Sequence, residues 1–154
     1  MARTTIYEAA GGAPAFRALA ADFHARCLAD PVLEHPFSHT TNPDHVHNLA
    51  AYWAEVLGGP AGYSAIADQR SLLRIHASNG AEDELGARFL DCFVRALDDV
   101  GIPPDPDLRT ALHDYMAWAV EEFMAYAPYG SRVPMHVTVP HWSWDGLQTA
   151  GSTD

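Results

Sequence analysis

Residues 42–60, NPDHVHNLAAYWAEVLGGP, decide the fold class, because they hold one amphipathic helix together with signals for both of its ends. Asn42 is a residue type that caps helix N-termini, and Pro43 suits the first helical position. Gly58-Gly59-Pro60 then breaks the pattern. The apolar side chains recur every three or four residues and so share one face: Val46, Leu49, Trp53 and Val56. The stretch therefore predicts a helix over Pro43–Leu57.

Helical periodicity extends to both sides of this stretch. Upstream, a segment follows Gly11-Gly12 and ends near Asp30-Pro31, because the residue before a proline avoids helical geometry. Its apolar positions again step by three and four: Phe16, Leu19, Phe23 and Cys27. Downstream, we predict a short segment over Leu72–His76, a helix over Glu82–Asp99 and a long helix from about Leu108 to Tyr126.

The whole pattern predicts a single all-α domain. No run alternates apolar and polar residues as a half-buried strand would, and the tail from Pro128 onward has no helical pattern either. Hydrophobic residues make up 48% of the 154, enough for the core of one domain in a chain too short for two. We expect this domain over residues 1–146 and a flexible tail over residues 147–154.

Charge and hydropathy exclude several kinds of partner. Nine basic against twenty acidic residues give a net charge of −11, which repels nucleic acid and anionic membrane surfaces. No apolar stretch is long enough to span a bilayer and no signal peptide is visible, so we expect a cytoplasmic protein. The two cysteines, Cys27 and Cys92, are expected as buried apolar fillers rather than as a disulfide.

His76 is the first histidine of chemical interest among the nine. It ends the short apolar segment that begins at Leu72, and a neutral imidazole at such a helix end is what a single axial iron ligand requires. The pattern by itself still favours a half-buried structural histidine at this position.

Two further histidines could face a ligand. His45 shares a helix face with Leu49, four residues later, whereas His47 points nearly the opposite way. His24 lies at the edge of the apolar stripe of its own helix. The alternative to facing a ligand is that these two histidines are solvated or half-exposed. The remaining histidines are expected at the surface: His35, His39, His113, His136 and His141.

The sequence lacks the motifs of other common catalytic and metal sites. It contains no GxSxG elbow, P-loop, Gly-rich dinucleotide turn or HExxH zinc motif. Asp44-His45-Val46-His47 comes nearest to a metal motif, but two histidines at i and i+2 cannot chelate one metal from a regular helix.

The order of these segments, from Thr5 to Gly146, resembles the truncated haemoglobins, specifically their second group and its actinobacterial branch. Six matching pieces follow one another: Ile6 to Gly12; Phe23-His24 with Asp30-Pro31-Val32-Leu33 and Phe37; Asp44 to Leu49; Gly58-Gly59-Pro60 with Tyr63-Ser64; Leu72 to His76; and Trp142 to Gly146.

This resemblance implies a globin-like two-over-two helical sandwich that binds haem b, iron protoporphyrin IX. The haem would lie between His76, its axial metal ligand, and the Pro43–Leu57 helix, with the Glu82–Asp99 helix on its other side. The residues that the resemblance places against the cofactor are Phe37, Leu49, Trp53, Tyr63, Leu72, Arg74, His76 and Phe89.

The sequence departs from the family pattern around this site. The distal tyrosine, a hydrogen-bond donor to the iron's ligand, is His24 here, and the tryptophan thirteen residues past the proximal histidine is Phe89. The arginine before that histidine is Ile75, with Arg74 one place earlier, so the expected propionate contact is in doubt. We expect His24 and His45 to replace the missing donors as the residues that act on the ligand.

The resemblance implies a haem protein that binds O₂ or another diatomic gas. The alternative is a haem-dependent redox enzyme on the same scaffold, either peroxidase-like, NO-detoxifying or a biosynthetic oxidase, with peroxide or a small molecule as substrate. Whether the chain is an enzyme, and its oligomeric state, stay open at this point. A haem-free interaction module is a third reading, against which His76, Phe37 and His45 argue.

The axial role of His76 can be tested by replacing it with alanine. We expect loss of haem or a changed Soret and visible spectrum, because the iron loses its protein ligand. His113→Ala removes a histidine expected at the surface and should leave the spectrum unchanged. An unchanged spectrum in His76→Ala would refute the assignment.

Overall fold

The computed structural model describes residues 4–31, 33, 44–65, 85–124 and 139–148. These residues form five helices and one hairpin, in the order α1 (Ile6–Ala10), α2 (Gly12–Ala29), α3 (His45–Val56), α4 (Leu85–Asp99), α5 (Pro106–Met124), β1 (His141–Ser143) and β2 (Gly146–Gln148). The all-α prediction is confirmed, with the hairpin as a small addition. No helix of the described ranges is long and apolar enough to cross a membrane.

Most helix bounds agree with the sequence patterns. α2 ends one residue before Asp30, as the following proline requires. α5 begins at Pro106, and the carboxylate of Asp105 caps it by accepting the backbone N–H of Leu108 at 3.0 Å. Its predicted end at Tyr126 and the predicted start of α4 at Glu82 lie outside the described residues.

The predicted start of α3 was wrong. Asp44 takes the N-cap position with ψ of 11°, so the helix begins at His45 rather than at Pro43. The charge of Asp44 complements the positive end of the helix dipole. Asn42 and Pro43, which were predicted to form this terminus, lie outside the described residues.

The end of α3 packs against the N-terminus of the chain. The backbone N–H of Tyr7 donates to the carbonyl of Leu57 at 2.9 Å. Gly58 has φ of 99°, and a Cβ there would lie 2.7 Å from Cβ of Thr5. Only glycine combines that backbone conformation with so close an approach. This glycine break therefore lets α1 pack against the end of α3.

Aromatic rings join α2, α3 and α4 at the centre of the core. The ring of Trp53 lies 5.3 Å from that of Phe23 and 5.2 Å from that of Phe93, both edge to face. Phe23 and Phe93 also meet, at 6.3 Å. Cys27 and Cys92 are buried free thiols in the same core, as predicted.

The hairpin was not predicted, and the predicted absence of strands was wrong here. Each strand has three residues, too few to display an alternating pattern. Contacts with other parts of the chain hold the hairpin in place. Nε1 of Trp144 donates to the carbonyl of Thr4 at 2.6 Å. The Trp142 ring contacts the rings of Tyr115 and Trp118 on α5. β2 continues to Gln148, two residues past the predicted domain end at 146.

The two leucines of α2 offer a matched test of this core. Leu19 is fully buried, whereas Leu28 is 40% exposed. We expect Leu19→Ala to lower the free energy of unfolding by about 2–5 kcal/mol, because it leaves a cavity. Leu28→Ala should cost less than about 1 kcal/mol. Urea unfolding measures both, and equal losses would contradict the packing described.

Candidate functional site

His24 and His45 meet where α2 packs against α3. Their ring centroids are 4.8 Å apart and the ring planes are tilted by 50°. His24 follows the core residue Phe23 on α2, and His45 is the first residue of α3. The structure thus brings together the two histidines that the sequence singled out from separate helices.

The imidazole pair is partly withdrawn from water. Both rings are half-buried, and Nδ1 of His24 and Nε2 of His45 are fully buried atoms. Burial lowers the pKa of His24 below its ordinary value, because desolvation disfavours the imidazolium cation. His47, on the same helix as His45, is exposed, in agreement with the prediction that it points away from His45. His24 is therefore a neutral donor and acceptor at neutral pH.

The helices of the pair also carry apolar side chains, and α4 adds another. The ring of Phe89 on α4 stacks on the ring of Phe23 with centroids 6.3 Å apart, and Phe23 precedes His24 on α2. Trp53 is 3% exposed and packs behind, against Phe23. Leu49 is half-buried, one turn of α3 from His45. Leu49 shares the helix face of His45, whereas Phe23 and Trp53 belong to the aromatic core.

Tyr63 packs against α3 at Tyr52 rather than at Trp53. Its ring packs edge to face on Tyr52, with centroids 5.0 Å apart. Successive helical residues point about 100° apart, so Tyr52 and Trp53 face different directions. The turn beside Tyr63 is fixed by Glu55, a 4% exposed carboxylate that accepts the backbone N–H of Ser64 at 2.8 Å and its hydroxyl. The predicted contact of Tyr63 with a cofactor stays a prediction.

Four of the predicted site residues cannot be compared with the structure. Phe37, Leu72, Arg74 and His76 lie outside the described residues. Their roles as cofactor contacts and, for His76, as metal ligand therefore stay predictions.

Sequence reasoning missed an ion pair beside the site. Nη1 of Arg88, next to Phe89, donates to both carboxylate oxygens of Asp30, at 3.2 and 3.1 Å. Asp30 also accepts the backbone N–H of Leu33 at 3.2 Å. One carboxylate thus ties the end of α2 to α4. The sequence pattern marked Asp30-Pro31 only as a helix end. It could not indicate the ion pair, because Arg88 lies 58 residues away.

Two cavities formed by the described residues lie elsewhere. One of about 380 Å³ is lined by α5 and the hairpin, including Asp107, Asp114 and Trp142. The other, of about 290 Å³, lies between α4 and α5. Within those same ranges no group of three or more histidine, cysteine or acidic side chains could hold a metal ion.

The sequence of residues 5–122 matches the model of the bacterial-like globins. The chain belongs to the bacterial-like globin family. The match covers α1 to nearly the end of α5, and it contains both histidines of the pair. No curated protein is close enough in sequence to count as a relative.

Solved structures agree with this assignment. A haemoglobin from the thermophilic phototrophic bacterium Chloroflexus aurantiacus is 28% identical, with a TM-score of 0.69 over 79% of this chain and 98% of its own. A thermostable haemoglobin from the actinobacterium Thermobifida fusca is 29% identical, with a TM-score of 0.66 over 79% and 97%. A group II truncated haemoglobin from Bacillus anthracis, 21% identical with a TM-score of 0.72 over 85% and 98%, shares the fold.

The globin-like sandwich predicted from sequence is confirmed, and this chain is a haem-binding globin of the truncated type. The residues present fit one face of a haem. Imidazole nitrogens can donate to or accept from a small ligand, and the half-buried Phe89 and Leu49 would supply apolar contact.

The lowered pKa of His24 gives this globin a pH-dependent stability. Between pH 6.5 and the lower folded pKa, the unfolded chain binds more protons at this residue, so stability falls as pH falls through that window. His24→Gln should reduce this loss in urea unfolding measured from pH 7.5 to 5. His47→Gln, at an exposed position, should retain the wild-type slope. Equal slopes in His24→Gln and wild type would show that His24 is not desolvated.

Proposed function

We propose that this globin is a group II truncated haemoglobin with a distal side controlled by histidine. It carries haem b on His76 and binds O₂ or another diatomic gas at the iron. The observation that supports this is the contact of His24 with His45, 4.8 Å apart across α2 and α3. The proposal extends the resemblance seen in the sequence, where His24 stands in the place of the family's distal tyrosine.

The two imidazoles would supply the polar contacts of the pocket. A neutral imidazole has one N–H donor, and a hydrogen bond to a charged acceptor contributes about 1.5–3 kcal/mol. Phe89 has no side-chain N–H, so the indole donor usual at its position is absent, and α2 and α3 offer donors in its place. His24 and His45 are the described groups that meet this need.

The apolar side chains would have a separate task. Phe89 and Leu49 would contact the porphyrin, and Trp53, packed between Phe23 and Phe93, would hold α3 at a fixed distance from α2. Low water content near the pair would strengthen each hydrogen bond to the ligand. Nothing in the described residues favours the redox-enzyme alternative over ligand binding.

The test is O₂ dissociation from the ferrous protein in His24→Phe, His45→Leu and the double variant. Loss of a donor worth about 1.4 kcal/mol speeds dissociation about tenfold, so at least one single variant should show that change. His47→Leu is the matched control on α3 and should keep the wild-type rate, because His47 is exposed. The pyridine haemochrome spectrum of the same preparation identifies haem b.

The outcomes separate the parts of the proposal. Wild-type rates in all three variants would mean that neither histidine is distal. A change in His45→Leu alone would leave His24 as a packing residue. Absence of haem in the purified wild type would refute the proposed function as a whole.

A further inference from the structure

We propose that the cavity between α5 and the hairpin binds a small organic cation whose charge lies on an alkylated ammonium group. The cavity has a volume of about 380 Å³, within the range of about 300–1,000 Å³ that is typical of small-molecule sites. Its described lining contains two indole rings, three carboxylates and no basic side chain. The inference goes beyond the proposed function, because this cavity shares no residue with the histidine pair.

Two indole rings form the apolar part of the cavity. Trp142 and Trp144 both line it, and both side chains are half-buried. The electron-rich face of an aromatic ring attracts an ammonium group, and indole is the best of the aromatic side chains for this contact. The alkyl carbons of the cation also gain free energy when the indole rings remove them from water. These two rings therefore favour an alkylated ammonium ion over a strongly hydrated one.

Contacts within the protein hold both rings in place before a ligand binds. Nε1 of Trp144 donates to the carbonyl of Thr4 at 2.6 Å. The Trp142 ring packs against the rings of Tyr115 and Trp118, with centroids 6.0 and 5.6 Å apart. A wall that is already ordered loses little conformational entropy on binding, so more of the contact free energy contributes to affinity.

Three carboxylates complete the described lining. Asp107 and Asp114 lie seven residues apart on α5 and so share the helix face that borders the cavity. Asp145 comes from the turn between β1 and β2, where its backbone N–H donates to Oγ of Ser143 at 3.2 Å. All three aspartates are exposed to solvent, whereas the indole rings are half-buried. A cation would therefore meet negative charge at the exposed part of the cavity and aromatic surface further in.

The carboxylates do not form a metal site. A metal ion such as Ca²⁺ or Mg²⁺ needs several oxygen ligands that converge on one point. In the part of the chain that the structure describes, no group of three or more histidine, cysteine or acidic side chains is placed to hold one. An organic cation is larger and needs no such convergence. The net charge of −11 attracts cations in general and repels anions.

Titration calorimetry of the purified protein with choline chloride tests the site. Choline is a quaternary ammonium ion of the proposed class, and the alcohol in which carbon replaces its nitrogen is an uncharged isostere. We expect saturable heat from choline, and none from the isostere or from sodium chloride at equal ionic strength. No saturable heat from choline, or equal heats from choline and the isostere, would refute the proposal.

Variants of the lining locate the binding. Asp114→Asn/Asp145→Asn removes two charges at nearly constant size and should weaken choline binding at least about tenfold. Asp91→Asn/Glu121→Gln removes two charges at exposed positions outside the cavity lining and should bind choline like the wild type. Trp142→Phe should weaken binding about two- to fivefold, because phenylalanine attracts a cation less than tryptophan does. Equal weakening in the two double variants would show a response to net charge alone and would overturn the site.

Two further measurements keep the test decisive. Thermal unfolding followed by circular dichroism shows whether each variant is folded. If the lining double variant is not, Asp114→Asn and Asp145→Asn are measured singly, and unchanged choline binding in both would refute the site. Butylammonium matches a lysine side chain and is more strongly hydrated than choline, so it should bind more weakly. Tighter binding of butylammonium would overturn the proposed ligand class in favour of a lysine-bearing peptide.

Discussion

The packing of Trp53 against Phe23 and Phe93 is the contact on which the rest of this globin depends. It fixes the distance between α2, α3 and α4 at the centre of the core. Edge-to-face ring pairs contribute about 0.5–1.5 kcal/mol each beyond the burial of their apolar area. His24 follows Phe23 on α2 and His45 lies about two turns before Trp53 on α3, so this packing helps to set how close the two helices come where the imidazoles meet.

Polar contacts around the core orient the helices rather than hold them together. The Arg88–Asp30 pair joins α4 to the end of α2, but Arg88 is 38% exposed. Half-exposed ion pairs contribute about 0–1 kcal/mol, less than one buried aromatic side chain. Asp30 nevertheless receives hydrogen bonds from two directions, which fixes where the chain leaves α2. Its role is to set the exit direction toward the segment that follows.

The histidine pair changes what a globin pocket can do. A neutral imidazole donates one hydrogen bond and accepts another, whereas an indole side chain only donates. Burial lowers the pKa of His24 and so favours its neutral form. Contacts to a bound ligand would then come from two residues on different helices.

The sequence by itself determined the helices, their buried faces and the facing of His45, because these follow from a repeat of 3.6 residues read within one segment. Leu19, Phe23 and Trp53 are buried where that repeat puts them. The family pattern supplied His24 as the other candidate. Only the tertiary structure decided that the two rings touch, that Arg88 meets Asp30, and that Trp142 and Trp144 close a hairpin on α5 and the N-terminus. Those contacts join residues from 21 to 140 positions apart, and periodicity within a segment carries no information about which distant faces will meet.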